Sequence, residues 1–404
     1  TATITVTPTA NGCPGTPSSF TITVNPTPLV VVPSDITICN GGNIVASNFT
    51  STTPGTTFAW TNSDPSIGLA VSGTGNTPSF SGTNNTAFSV TATITVIPAA
   101  NGCPGNPVIY FITVDPAPVV VVPTDIIVCN GAPISSGVFT STTPGTIFDW
   151  TNSDASIGLA ASGTGNTPSS SGMNNTALPV TATVSVTPTA NGCLGVSVSF
   201  NITVNPIPVV VVPADIVVCN GGAIAASVYT STTPGTNFAW TNSDASIGLA
   251  ASGTANTPSF SGTNNTPLPV TATVTVTPTA NGCTGVPVSY NIAVNPTPLV
   301  VVPADIVVCN GANIIGSNFT STTTGTTFDW VNSDASIGLA TNGTGNTPSF
   351  SGTNNTALPI TATITVTPTA NGCPGIPVSF NITVNPIPVV VVPVDIVVCN
   401  GATI

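Results

Sequence analysis

The sequence has no basic side chains: its 404 residues include no Lys, Arg or His, and Glu and Gln are absent as well. All twelve charged residues are Asp, which gives a net charge of −12. A chain without a cationic side chain cannot neutralise nucleic-acid phosphates, and an anionic membrane surface would repel it. We therefore expect no nucleic-acid partner.

The same absences argue against an enzyme. General acid–base and nucleophilic catalysis normally use His, Glu or Lys, and only Asp is available here. Zinc sites that contain His are excluded, and no Cys-x-x-Cys pair exists to build a four-cysteine site. We predict a non-enzymatic protein that needs no cofactor.

Long apolar runs are also missing. The longest stretches, such as 209–212 and 216–219, fall far short of the ~18 residues that span a bilayer. No basic segment precedes an apolar run at the start, so no signal peptide is recognised. Hydrophobic residues nevertheless make up 41% of the chain. This content is enough to build packed cores and argues against disorder. We expect folded domains and no membrane insertion.

A repeat of 90 residues runs through the chain without insertion or deletion. The segment Thr-Ala-Thr-Ile-Thr-Val begins at residue 1, and close variants begin at 91, 181, 271 and 361. A repeat held in such strict register indicates one structural unit placed in series.

Within one repeat the pattern is that of β-strands. Residues 91–96 and 111–114 alternate polar and apolar, as half-buried strands do, and turn residues such as Asn101-Gly102 and Pro144-Gly145 separate the strand-like runs. About seven such runs in ~90 residues fit an immunoglobulin-like sandwich. The predicted fold is all-β, a tandem array of immunoglobulin-like β-sandwich domains.

Proline-rich segments set the predicted domain limits. Val114-Asp115-Pro116-Ala117-Pro118 and its copies contain two prolines that block ladder hydrogen bonds and stiffen the backbone, which suits a linker. We expect complete domains at 29–118, 119–208, 209–298 and 299–388. Residues 1–28 would be the last two strands of a preceding repeat, and 389–404 the first strand of a following one.

One tryptophan recurs in each repeat, inside a strand-like run: Trp60, Trp150, Trp240 and Trp330. A core aromatic is the simplest interpretation, and an exposed platform for sugar stacking is the alternative.

Ten cysteines occupy two positions of the repeat, which is typical of disulfides made in an oxidising, extracytoplasmic compartment. Two connectivities remain open. Pairing within a domain resembles immunoglobulin spacing and is favoured: Cys39–Cys103, Cys129–Cys193, Cys219–Cys283 and Cys309–Cys373. Pairing across the linker, as in Cys13–Cys39, would clamp one domain to the next.

Recurring aspartates are weak candidates for calcium, which tandem extracellular β domains sometimes bind at their junctions. The candidates are Asp35, Asp64, Asp125 and Asp154. They occur singly, however, and Asp residues before strands and short turns serve equally well as turn and cap residues.

Asn-x-Ser/Thr triplets are candidate glycosylation sites. One of them recurs in every complete repeat, as Asn84 and its equivalents. The full set is Asn48, Asn84, Asn174, Asn201, Asn264, Asn318, Asn342, Asn354 and Asn381.

Three segments carry a family resemblance: Phe-Ala-Trp-Thr-Asn-Ser-Asp at 238–244 with the residues up to 254, Val-Thr-Ala-Thr-Val-Thr-Val at 270–276 with the residues up to Cys283, and Val-Asn-Pro-Thr-Pro at 294–298. They resemble the PKD-like repeats of very large secreted surface proteins of Bacteroidota. The resemblance covers every repeat. It implies arrays of immunoglobulin-like sandwiches, exported to the cell surface in proteins linked to adhesion or gliding, and no catalytic residues.

Two functions are consistent with these features. The first is a stiff extracellular fibre or filament whose repeats supply length and which associates with itself. Near-identity of the repeats favours it, because binding loops would be expected to diverge, and uncharged segments such as 119–122 leave a strand edge open to a neighbour. The second is an adhesin stalk or multivalent array that binds glycans, a host surface or a neighbouring surface.

Overall fold

The computed structural model describes residues 1–398 and 400–403. It divides into two compact units, Thr1–Pro206 and Ile207–Ile404. The only helices in the described residues are single 3-10 turns, and no helix there is both long and apolar enough to cross a membrane. The chain is therefore all-β, as predicted.

We call the intervals 29–118, 119–208, 209–298 and 299–388 repeats 1 to 4. Residues before repeat 1 form two small antiparallel pairs, β1 with β4 and β2 with β3. The strands up to the end of repeat 1 are β1 Ala2–Val6, β2 Thr9–Ala10, β3 Cys13–Pro14, β4 Ser18–Ile22, β5 Ile36–Cys39, β6 Asn43–Ile44, β7 Thr57–Asn62, β8 Ser72–Thr74, β9 Phe80–Ser81, β10 Val90–Ala100, β11 Cys103–Pro104 and β12 Val108–Asp115.

Repeat 1 is built on one large sheet with the order β5-β12-β10-β7-β8, to which β11 adds beside β10. All pairs in it are antiparallel except β5 with β12, which run parallel. The opposite layer consists of the short β6–β9 pair and a bridge between Val31 and Thr50. A 3-10 turn at Pro65–Ile67 connects β7 to β8.

Repeats 2, 3 and 4 have the same topology. Their strands are β13 Ile126–Cys129, β14 Pro133–Ile134, β15 Ile147–Asn152, β16 Ser162–Thr164, β17 Ser170–Ser171, β18 Val180–Ala190, β19 Cys193–Leu194, β20 Val198–Asn205, β21 Ile216–Cys219, β22 Ala223–Ile224, β23 Asn237–Asn242, β24 Ser252–Thr254, β25 Phe260–Ser261, β26 Val270–Ala280, β27 Cys283–Thr284, β28 Val288–Asn295, β29 Ile306–Cys309, β30 Asn313–Ile314, β31 Thr327–Asn332, β32 Asn342–Thr344, β33 Phe350–Ser351, β34 Ile360–Ala370, β35 Cys373–Pro374 and β36 Val378–Asn385. Their 3-10 turns are Ala155–Ile157, Ala245–Ile247 and Ala335–Ile337.

The alternation seen in the sequence places one face of each strand in the core. In β10 the buried residues are every second one, including Ala92, Ile94 and Val96. They pack against Ile44 and Phe49 of the opposite layer, so the core lies between the two layers. Trp60 belongs to this core with 4% of its surface exposed, and the other three tryptophans are equally buried. The core interpretation of the tryptophans is confirmed, and the sugar-stacking alternative was wrong.

The two ends of the chain differ from one another. Residues 1–28 do contain strands, but β1 and β4 are exposed throughout because no opposite layer covers them. Residues 389–398 and 400–403 contain no strand, so the predicted first strand of a following repeat is absent from the described residues. In repeat 1 the equivalent strand, β5, forms by pairing with β12. The tail has no such partner among the described residues.

Candidate functional site: the junction between consecutive repeats

The linker between two repeats is packed rather than solvent-exposed. Asp115, Pro116 and Pro118 are buried. Gly195, in the β19 hairpin of repeat 2, lies so close to this linker that an added Cβ would sit 1.8 Å from the carbonyl oxygen of Pro118. The same contact recurs between Gly375 and Pro298, with a distance of 2.0 Å. Only glycine fits at this position, since any side chain would push the next repeat away.

Each repeat has one cysteine position at either end of its large sheet. Cys39 ends β5 and lies level with Asp115, at the end of β12 from which the linker leaves. Cys103 pairs with Ala100 in the β10–β11 hairpin. This hairpin lies at the opposite end of the sheet, beyond Val108, the first residue of β12. Val108 and Asp115 are already seven residues apart along β12, so Cys39 and Cys103 are more than about 20 Å apart.

Two disulfides join consecutive repeats across the linker. Cys39 of repeat 1 is bonded to Cys193 of repeat 2, with an S–S distance of 2.03 Å and a Cα–Cα distance of 5.5 Å. Cys219 of repeat 3 is bonded to Cys373 of repeat 4, with 2.00 Å and 5.6 Å. Cys129 and Cys283 are disulfide-bonded as well. The prediction that the chain contains disulfides is thus confirmed.

The favoured pairing within a domain was wrong; bonds across the linker do form, but between other cysteines than the predicted pair. Cys39–Cys103, Cys129–Cys193, Cys219–Cys283 and Cys309–Cys373 conflict with the observed bonds, and so does Cys13–Cys39. The parallel β5–β12 pair explains why, because it places Cys39 at the exit end of the sheet, out of reach of Cys103. Cys13, Cys103 and Cys309 carry free thiols, and Cys399 lies outside the described residues.

A pair of polar substitutions distinguishes the junction between repeats 1 and 2. Positions 115 and 89 hold Asp and Ser, whereas the other repeats have Asn and Pro there. Ser89 donates a short hydrogen bond from its hydroxyl to the buried Asp115 carboxylate, and Asn191 of repeat 2 donates to Ser89 Oγ at 3.5 Å. The serine thus satisfies a carboxylate that a proline would leave without this donor. Between repeats 3 and 4, Asn295 Nδ2 donates directly to the Asn371 carbonyl oxygen at 3.1 Å.

An open groove of about 570 Å³ lies at the junction of repeats 3 and 4. Its lining is uncharged and consists of amides, hydroxyls and aliphatic groups, including Asn265, Thr266, Leu299, Thr322 and Ile376. The Asn264 amide, which also lines the groove, already makes hydrogen bonds within its own repeat. The groove therefore offers hydrogen-bonding groups for a neutral ligand but no charge and no reactive side chain.

The asparagine predicted as a repeated glycosylation site has a structural role instead. Asn84 is 5% exposed, and its Nδ2 donates to the carbonyl oxygens of Phe88 and Val114 at 2.8 and 2.7 Å. Its Oδ1 accepts from the Thr86 amide and hydroxyl. Asn174, Asn264 and Asn354 make the same bonds. Both amide hydrogens are used, so the prediction of a glycan at these four positions was wrong.

The other candidate asparagines differ in their accessibility. Asn48, Asn318 and Asn342 are exposed, and glycosylation there remains a prediction. Asn201 and Asn381 are half-buried, and their Nδ2 atoms lie 3.4 and 3.3 Å from the carboxylates of Asp125 and Asp305.

The calcium candidates serve as caps of backbone N–H groups. Asp35 accepts from the Phe111 amide and Asp125 from the Asn201 amide. Asp64 and Asp154 cap the 3-10 turns. Hydrogen bonds from the hydroxyl and amide of the serine two residues on, Ser66 or Ser156, hold the pKa of each below its ordinary value. No group of three or more metal-ligating side chains occurs among the described residues.

The buried tyrosines are likewise structural. Tyr110 donates to Ser47 Oγ, and burial raises the pKa of Tyr110. In repeat 3, the hydroxyl oxygens of Tyr229 and Tyr290 lie 3.2 Å apart and share a hydrogen bond. Burial, together with this hydrogen bond, raises the pKa of Tyr229. Such phenols stay protonated at neutral pH and supply no base.

The sequence pattern of the PKD-like domain family matches residues 36–118, 126–208 and 216–298, which together make up more than half of the chain. The chain belongs to the PKD-like domain family. The resemblance to PKD-like repeats is thereby confirmed for repeats 1 to 3, and each matched segment of this PKD-like chain runs from the first strand of the large sheet to the second linker proline.

Several cadherin ectodomain structures are similar to this PKD-like chain at low identity. The protocadherin GammaB4 extracellular domain is 11% identical to this chain, with a TM-score of 0.35. The alignment covers 87% of this chain and 65% of the protocadherin chain. The human Desmocollin-1 ectodomain is 12% identical, with a TM-score of 0.30 and coverages of 88% and 80%. Drosophila N-cadherin EC1-4 is 11% identical, with a TM-score of 0.28 and coverages of 88% and 99%. No curated protein matches the chain.

Proposed function

We propose that this PKD-like chain is a non-enzymatic structural protein that forms a stiff extracellular fibre or filament at or beyond the bacterial cell surface. The main support for this proposal is the way consecutive repeats are held together at their junction. A buried linker, a glycine contact and a disulfide together hold consecutive repeats within each unit. A flexible tether needs none of these, because a Gly/Ser-rich linker would suffice.

The bonded cysteines support an extracellular location. Disulfides persist in oxidising compartments and are rare in a reducing cytosol. An array without Lys or Arg also presents no trypsin-like cleavage site. Both properties suit a polymer that must last outside the cell.

Self-association is the proposed route to a filament, through the edge of the segment 119–122 and its equivalents, each of which forms a single β-bridge to its own repeat. Val121 exchanges two backbone hydrogen bonds with Thr140, which occupy one side of this segment. The other side has no strand partner among the described residues. Val119 and Val121 are 65% and 63% exposed, and the same aliphatic positions recur in the other repeats. A second copy would offer a matching set at the same spacing.

Cryo-electron microscopy of the purified chain at increasing concentration tests the proposal. We expect filaments in which neighbouring chains meet at these edges. A variant with Val121→Asp and Val211→Asp should remain dispersed, since a charge on the edge opposes pairing. The matched control, Val138→Asp with Val228→Asp, changes equally exposed valines outside the segment and should still assemble. Isolated chains at every concentration would contradict the filament.

The alternative function is a stalk or multivalent array that binds neutral glycans. The uncharged groove between repeats 3 and 4 is the observation that favours it. Isothermal titration with neutral oligosaccharides, using Thr322→Val and Asn265→Ala variants, would detect this binding. Absence of heat with every sugar would remove the alternative.

A further inference from the structure

Each of the two mapped disulfides closes a ring that contains a complete linker. The ring between Cys39 and Cys193 includes the linker at 116–118, and the ring between Cys219 and Cys373 includes the linker at 296–298. Each bond has a sequence separation of 154 residues. Pairing within single repeats would have left both linkers outside any ring.

A ring provides two covalent paths between its ends. Tension applied to the two ends of the chain can pass from Cys39 directly to Cys193, bypassing residues 40–192, and from Cys219 to Cys373, bypassing 220–372. The shortest path therefore runs through 1–39, 193–219 and 373–404. The bonds of Cys129 and Cys283 cannot lengthen it.

We infer that the two disulfides form a second covalent path that bypasses the linkers at 116–118 and 296–298. A single chain break inside a ring then leaves the chain covalently joined, and unfolding of the bypassed segments 40–192 and 220–372 does not lengthen the path that bears tension. The usefulness of this device rests on the proposed structural function. The bypass itself is a property of the chain and can be tested whether or not filaments form.

The absence of Lys and Arg allows a cut to be placed at one chosen bond. In Val119→Arg, trypsin can cleave only after residue 119, directly behind the linker and inside the first ring. Digestion in urea, with free thiols alkylated beforehand, should leave one species of full length without reductant and two fragments after reduction. Intact-mass spectrometry reads both states.

Leu29→Arg provides the matched control, because residue 29 is the equivalent position one repeat earlier, is also 65% exposed, and lies outside both rings. Its cut should release residues 1–29 without reductant. Adding Cys193→Ala to Val119→Arg should also separate the fragments. Fragments of Val119→Arg that part without reductant would overturn the inference.

Force spectroscopy on the full chain measures the bypass under tension. Extended residues span at most ~3.6 Å each, so the oxidised chain should reach only about 35 nm at full extension, against about 145 nm after reduction. The variant Cys39→Ala/Cys193→Ala should lengthen the oxidised chain by at least about 40 nm. An oxidised chain that extends as far as the reduced one would contradict the bypass. If filaments never form but the cut chain stays joined, the proposed function fails while the bypass stands.

Discussion

At the scale of single residues, a buried asparagine fixes the corner at which each repeat ends. Asn264 Nδ2 bridges the carbonyl oxygens of Leu268 and Val294, which lie on different parts of the repeat. The triplet around it was visible in the sequence as a glycosylation motif. Its spacing carries no information about burial, so the hydrogen bonds that occupy the amide could not be predicted.

The exchange Asn264→Asp tests this role. A carboxylate cannot donate to the two carbonyl oxygens and would be buried facing them, so we expect a loss of about 3 kcal/mol in the stability of repeat 3. The neighbour Asn265 is exposed, and Asn265→Asp should change stability by less than about 0.5 kcal/mol. Hydrogen exchange of repeat 3 measures both. Equal protection in the two variants would show that the amide does not hold the corner.

At the scale of strands, alternation and turn residues predicted most of the fold. The half-buried β10 and β12 and the Asn101-Gly102 hairpin follow directly from polar–apolar alternation and from a residue pair that accepts positive φ, here 51° and 80°. The sequence did not reveal that β5 runs parallel to β12. That pairing joins segments more than 70 residues apart, and no local pattern records its direction.

The contact between strands β7 and β8 gives a prediction at this scale. A Cβ on Gly73 would lie 2.2 Å from Cζ2 of the buried Trp60 ring. We therefore expect Gly73→Ala to destabilise repeat 1 by about 2 to 3 kcal/mol through overpacking. Urea denaturation followed by hydrogen exchange of repeat 1 would measure the loss.

Gly75→Ala is the control for this strand. Gly75 has a positive φ of 74°, and the equivalent position in repeat 3 holds Ala255 at 60°, with no atom near enough to Gly75 to clash with a methyl group. The cost should stay within about 1 kcal/mol. If both alanines cost the same, the contact with Trp60 would not be what excludes a side chain at Gly73.

At the scale of the molecule, the sequence predicted a repeat array and its disulfides but not how the repeats are bonded. The immunoglobulin-like spacing of Cys39 and Cys103 suggested a bond inside one sandwich. Because the two positions lie at opposite ends of the sheet, the exit end of repeat 1 instead meets the hairpin end of repeat 2, where Cys39 is bonded to Cys193. Connectivity thus depends on strand direction, which the spacing of cysteines does not encode.

The last prediction concerns the stability that these bonds give to a pair of repeats. Closing a loop of 154 residues lowers the chain entropy of the unfolded state by an amount equivalent to about 5 kcal/mol. Cys219→Ala/Cys373→Ala should therefore lower the free energy of unfolding of repeats 3 and 4 by up to this amount. Hydrogen exchange would measure the loss, because both repeats should lose protection at a lower urea concentration. Cys309→Ala removes an exposed free thiol and should leave exchange unchanged. If the double variant loses protection only in the residues next to the missing bond, the disulfide fixes the junction locally and does not stabilise the two repeats together.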